Sequence, residues 1–136
     1  MALAVGLALA ACGGKGYDAL ASVRQACSDM GYTDGTYTGA DESDDAEWSS
    51  EDWTKLAVDL NKTANQVARA ARDDGRWNRL SNAVTDFQAG AEQLAIVHDE
   101  TLPQADRDAA QAKVDRVGPQ RVVQVLDQEC RKAQAE

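Results

Sequence analysis

The chain has 136 residues, the length of one domain, and carries 14 Lys and Arg against 23 Asp and Glu, for a net charge of −9. That balance excludes a basic nucleic-acid binder. Alanine supplies 25 residues and Phe, Trp and Tyr together only 7, so the apolar 43% is built from small side chains of high helix propensity. A β-sandwich is disfavoured and an all-α fold expected.

Met1–Ala11 is apolar or small throughout, without a charge, and ends in Ala10-Ala11 before Cys12. A helix of that length falls well short of a ~30 Å hydrocarbon core, so it does not span a membrane. Leu9-Ala10-Ala11-Cys12 resembles the lipobox of bacterial lipoproteins, and Gly13-Gly14 resembles the flexible spacer that follows it. The resemblance implies cleavage before Cys12, a diacylglyceryl group on its sulfur and an acylated amine, and therefore a lipid anchor on the extracytoplasmic face of a cell membrane. No Lys or Arg precedes the apolar run, a departure from that pattern that points to a start upstream of Met1. The expected division is a signal peptide over 1–11, an anchored spacer over 12–17 and a helical domain over 18–136.

Within the domain, Asp18 is placed to cap a first helix in which Leu20, Val23, Cys27 and Met30 recur at steps of three and four, ending at Gly31. A second helix is predicted from Ser49 or Ser50, with Glu51 and Asp52 in its first turn and Trp53, Leu56, Leu60, Ala64, Val67 and Ala71 on its apolar side. Trp77, Leu80, Val84, Phe87, Ala91, Leu94 and His98 alternate by three and four, the spacing of a third helix with one seam facing a partner. Thr101 and Pro103 open a fourth, which carries Ala109, Ala110, Ala112, Val114 and Val117 before Gly118-Pro119 breaks it. A fifth, from about Pro119, holds Val122, Val123, Val125, Leu126 and Cys130. No strand pair is evident, and the expected fold is a bundle of four to five helices with a long acidic loop over 31–49.

That loop concentrates the charge. Asp34, Asp41, Glu42, Asp44, Asp45, Glu47, Glu51 and Asp52 fall in one stretch with no basic residue, and without these eight the net charge of −9 becomes −1. Such a segment is expected to be mobile and distal. Asp41, Ser43, Asp45, Glu47, Ser49 and Asp52 also match the ligand spacing of an EF-hand-like calcium loop, although Ala46 stands where glycine makes the turn and Asp52 replaces the bidentate Glu. The main expectation is a solvated loop whose Trp48, Asp44, Asp45 and Glu47 meet a partner, with cation binding by Asp41, Ser43, Asp45, Glu47 and Asp52 as the alternative. No metal and no cofactor is expected.

With Cys12 assigned to lipid, Cys27 and Cys130 form an even pair in an exported chain, which predicts a disulfide. His98, the single histidine, has no identifiable nucleophile or orienting acid and is read as a partly buried residue at the end of the third helix. Lys62, Arg69, Arg72, Arg76 and Arg79 cluster around the turn from the second helix to the third. They would place a positive patch toward an anionic membrane, since Cys12 lies only six residues before Asp18, a reach of ~20 Å. Alternating helix directions would make the first and fifth helices parallel and bring Cys27 to Cys130 at the distal end.

No constellation points to catalysis. The expected function is a lipid-anchored, non-catalytic interaction module that meets an envelope or secreted protein. The richness in Ala, Asp and Arg resembles proteins of high-GC Gram-positive bacteria and their phages, and in a phage-borne gene the resemblance extends to short lipoproteins that block superinfection. The second hypothesis is a cation-binding envelope lipoprotein.

Overall fold

The computed structural model describes residues 17–38 and 47–136, and over these the chain is an all-α bundle with one small hairpin. Helix α1 (Ala19–Asp29) starts where Asp18 Oδ1 accepts the Ala21 N–H at 3.0 Å. Helix α2 (Ser50–Asp73) starts in a capping box, in which Ser49 Oγ accepts the Asp52 N–H and the Asp52 carboxylate accepts the Ser49 N–H at 3.0 Å. A 3-10 turn, Gly75–Trp77, leads into α3 (Asn78–Val97). Pro103 precedes α4 (Gln104–Val117), and Gly118 joins it to α5 (Pro119–Ala135). Among the described residues no helix is long and apolar enough to cross a membrane.

Side-chain contacts fix the helix directions. Tyr17 lies under the Arg69 guanidinium, 4.3 Å from ring centroid to Cζ, and Gln66 Nε2 donates to the Ser22 carbonyl at 2.8 Å, so α1 runs against the second half of α2. Ser50 Oγ donates to the Ala95 carbonyl at 2.6 Å, so α2 and α3 are also antiparallel. Arg121 pairs with Asp86 at 3.8 Å and Arg79 with Glu129 at 3.2 Å, which sets α5 antiparallel to α3. Val114 and Val117 of α4 meet Gly90, Ala91 and Leu94 of α3 just before α5 begins beside Asp86.

These contacts correct the alternating arrangement. Gly118, at φ 72, bends the chain without reversing it, so α4 and α5 descend α3 one after the other. α5 is therefore antiparallel to α1, as the Arg24 Nε bond to the Ala133 carbonyl at 2.9 Å also shows. Cys27 and Cys130 still meet, with their sulfurs at bonding distance and their Cα atoms 5.6 Å apart. They meet because short α1 covers only the lower part of α5.

The core is made of small residues, with Val23, Ala26, Val67, Ala70, Leu80, Val84 and both cysteines closed to solvent. Trp77 fills its base at 1% exposure. Glu129, also 1% exposed, sits among these groups because Arg79 and Lys132 reach it from the surface at 3.2 and 3.3 Å.

No strand pair is evident from the sequence, yet β1 (Tyr32–Thr33) pairs antiparallel with β2 (Thr36–Tyr37). The cause is Asp34-Gly35, a two-residue turn with φ of 51 and 77, the left-handed pair that closes tight hairpins. The hairpin docks on α5. Gly35 N–H donates to Gln134 Oε1 at 2.5 Å, Gln134 Nε2 donates to the Tyr32 carbonyl at 2.9 Å, and Tyr32 OH donates to Asp127 Oδ1 at 2.5 Å. The first part of the expected acidic loop is thus a fixed hairpin. Residues 39–46 of that loop lie outside the described residues.

Candidate functional site: an aromatic groove with an acidic rim

Met30 ends α1 beside the middle of α2, and the hairpin folds over the gap that α1 leaves above it. The result is a groove of about 440 Å³ between α1, the hairpin, α2, α3 and α5. Its volume lies within the range of ligand sites. Tyr32, Tyr37, Trp48, Trp53 and Phe87 line it, five of the seven aromatic residues of the chain, over a floor that includes Met30, Leu60 and Leu126. The aromatics form two pairs: Tyr32 and Tyr37 with centroids 5.4 Å apart, and Trp48 and Trp53 at 4.8 Å. His98, at the C-terminal end of α3, stacks on Trp53 at 6.3 Å. A smaller apolar pocket of about 120 Å³ beneath the α4–α5 bend shares Trp53, Phe87 and Val123 with the groove and extends it.

Exposure distinguishes this groove from ordinary core packing. Tyr37 is 52% exposed, Trp48 46% and Val123 47%, so among the described residues three of the four exposed large apolar side chains lie on its walls. Clustered exposed apolar surface marks an interaction site, whereas scattered exposed residues do not. The rim is acidic: Asp29, Asp59 and Asp127 line the groove, and among the described residues no Lys, Arg or His does. Asp29 accepts a bond from Gln25 at 2.8 Å and Asp127 the Tyr32 hydroxyl, while Asp59 has no side-chain partner among the described residues. Burial, followed by the bond to Asp127, holds the Tyr32 hydroxyl well above the usual phenol range, so it stays a proton donor.

The residues singled out from sequence divide sharply. Trp48 is on the groove, and Glu47 beside it is exposed with Oε1 3.6 Å from His98 Nδ1. Asp52 is engaged in the capping box, where the Ser49 N–H and hydroxyl hold its carboxyl below the usual range. Its oxygens serve the helix terminus. Asp41, Ser43, Asp44 and Asp45 lie outside the described residues, as does Cys12. Among the described residues no group of His, Cys, Asp or Glu is placed to hold a metal ion.

Two of the five residues of the basic cluster are paired with carboxylates. Arg76 pairs with Asp74 at 2.7 Å and with Glu136 at 2.9 Å and stacks over Trp77, and Arg79 serves Glu129. Lys62, Arg69 and Arg72 form no ion pair among the described residues, so the positive charge at this end rests on those three.

Sequence periodicity assigned Trp53, Leu56 and Phe87 to the core because a groove wall has the same helical spacing as a core stripe. The available signal was Asp34-Gly35, flanked by Tyr32-Thr33 and Thr36-Tyr37, a two-residue hairpin pattern with an aromatic on each arm. No family model, curated protein or solved structure matches this chain.

Proposed function

We propose that the protein is a lipid-anchored, non-catalytic interaction module of the extracytoplasmic face of a bacterial cell membrane, which presents the aromatic groove to an envelope or secreted protein. One observation carries the reading: most of the chain's few aromatic side chains line a single half-open groove, on walls where they leave apolar surface in water. Position supports it. Tyr17, where an anchored spacer would enter, lies beside Gln66 and Arg69, whereas the groove opens at the other end of α1, some 16 Å along a helix of 11 residues. A chain tethered through Cys12 would hold the groove away from the bilayer.

The lipobox resemblance supplies the tether, and two acyl chains suffice for stable anchoring. The test has two arms. Mass spectrometry of membrane-extracted protein is expected to show a mature chain starting at Cys12 with a diacylglyceryl group, and Cys12→Ser is expected to release the protein from the membrane. Retention of residues 1–11, or membrane association unchanged in Cys12→Ser, would refute the anchor. In the second arm, Trp48→Ala and Tyr37→Ala are expected to abolish cross-linking of the anchored protein to its envelope neighbour without changing its melting temperature. Cross-linking that survives both substitutions would refute the groove as the contact surface. For a phage-borne gene, loss of superinfection blocking in the same variants is the corresponding readout.

A further inference from the structure

The groove's chemistry narrows its occupant, an inference that rests on the reading of the groove as the contact surface. We propose that it takes a cationic amphipathic peptide segment of a protein partner, with apolar side chains between the two aromatic pairs and Lys or Arg against Asp29, Asp59 and Asp127.

Two properties of the walls lead there. First, the groove offers about 440 Å³ bounded by aromatic faces, room for large apolar anchors of the kind that dominate helix-in-groove recognition. Second, among the described residues its charged lining consists of three aspartates, contributed by α1, α2 and α5 and so distributed around the cleft. A neutral or anionic ligand would desolvate these carboxylates without return. A cationic side chain meets them in charge-assisted hydrogen bonds and lies against electron-rich ring faces as well.

Other occupants fit less well. An anionic bilayer would be repelled by the aspartate rim. The chain's own segment 39–46 contains four acidic residues and no apolar side chain larger than Ala, so it has nothing to fill an aromatic cleft. A small quaternary amine would occupy one aromatic face and leave most of the groove and its spread of carboxylates unused. The net charge of −9 adds long-range attraction for a basic partner, which raises the association rate without choosing the site. The local carboxylates provide that choice.

The experiment titrates the full chain, oxidised and carrying Cys12→Ser, with three model peptides that share one Leu face and bear Lys, Gln or Glu on the other, and follows tryptophan emission. The Lys peptide is expected to bind with a micromolar dissociation constant and the Gln peptide about tenfold more weakly. Asp29→Asn/Asp59→Asn is expected to weaken the Lys peptide about fivefold or more, and Glu100→Gln/Asp115→Asn, with the same change in net charge on exposed positions elsewhere, by less than about twofold. Trp48→Ala provides an independent check at an exposed position and should weaken the Lys and Gln peptides alike.

Equal binding of the Lys and Gln peptides, with both lost in Trp48→Ala, would overturn the cationic occupant and leave the groove reading intact. Equal weakening by the two neutralised pairs would show attraction to overall charge alone and overturn the site. Choline binding as tightly as the Lys peptide, or anionic vesicles producing the same emission change, would replace the peptide with those ligands. Silence with all three peptides would overturn both the occupant and the groove reading.

Discussion

Replacing Gly35 with Ala should loosen the hairpin that forms one wall of the groove, and the size of the effect follows from the local geometry. The residue has φ +77, where an added Cβ costs about 1–2 kcal/mol by itself. That Cβ would also lie 3.0 Å from Arg131 Cγ and 3.1 Å from Arg131 Cα. The side chain can swing away, but the α5 backbone cannot. Relief therefore comes from lifting the turn, which strains the Gly35 to Gln134 and Gln134 to Tyr32 hydrogen bonds, each worth about 1 kcal/mol net. The expected loss for Gly35→Ala is about 2–3 kcal/mol, read by urea denaturation followed by circular dichroism. Gly35→Asn separates the causes, because Asn tolerates the left-handed conformation but keeps the contact with Arg131, and it should fall between Ala and wild type. Asp34→Gly, at φ 51 on the open side of the same turn, should stay within about 0.5 kcal/mol of wild type. A Gly35→Ala protein as stable as wild type, or an Asp34→Gly protein as destabilised as Gly35→Ala, would refute the docked-hairpin argument.

Three other perturbations probe the frame around the groove. Cys27 and Cys130 are 103 residues apart, so their cross-link should contribute at most about 4–5 kcal/mol through denatured-state entropy; Cys27→Ala/Cys130→Ala should melt about 10–20 °C lower, and a drop of only a degree or two would reject that contribution. Glu129 is buried against two surface cations, so Arg79→Ala/Lys132→Ala should destabilise by about 2–3 kcal/mol in urea and Glu129→Gln by less, an order that a structural ion pair requires and whose reversal would contradict it. Asp52 has its carboxyl held below the ordinary aspartate range in the folded chain by the Ser49 N–H and hydroxyl, so its capping contribution is present above that range and is lost as pH falls through the lower folded value. Asp52→Ala should therefore melt a few degrees below wild type at neutral pH, with the gap closing in strong acid, and a gap independent of pH would exclude the ionised capping box.

Much of the fold is legible in the sequence because its signals are local. Asp18 and Ser49 announce helix starts through their side-chain oxygens, Pro103 and Pro119 stand where an N–H is dispensable, and steps of three and four outline the first three helices. The cysteine pair is readable from parity once Cys12 is set aside for lipid. The path between helices is not, because Gly118 at φ 72 serves a bend as readily as a reversal, and only the contacts of Arg121 with Asp86 and Arg24 with Ala133 decide which. The groove was hidden for a related reason. Phe87 and Trp53 keep core spacing, and they face a cleft because α1 stops at Met30, a matter of how far one short helix reaches along its neighbours. Trp48, set among acids and serines, was identifiable as exposed from its flanking residues, whereas its pairing with Trp53 depends on how the chain enters α2.

The central claim, that this groove is the surface the protein offers to a partner, is tested most directly through its three tryptophans. Trp48 and Trp53 line the groove and Trp77 is 1% exposed in the core, so their indole N–H resonances report separately on the site and on the frame. In a nuclear magnetic resonance titration of the full chain, Cys12→Ser and oxidised, with the Lys-faced peptide, the Trp48 and Trp53 resonances should shift together and saturate at one peptide concentration while Trp77 stays in place. Resonances of Trp48 and Trp53 that remain fixed, or a Trp77 resonance that moves as far as theirs, would contradict the account.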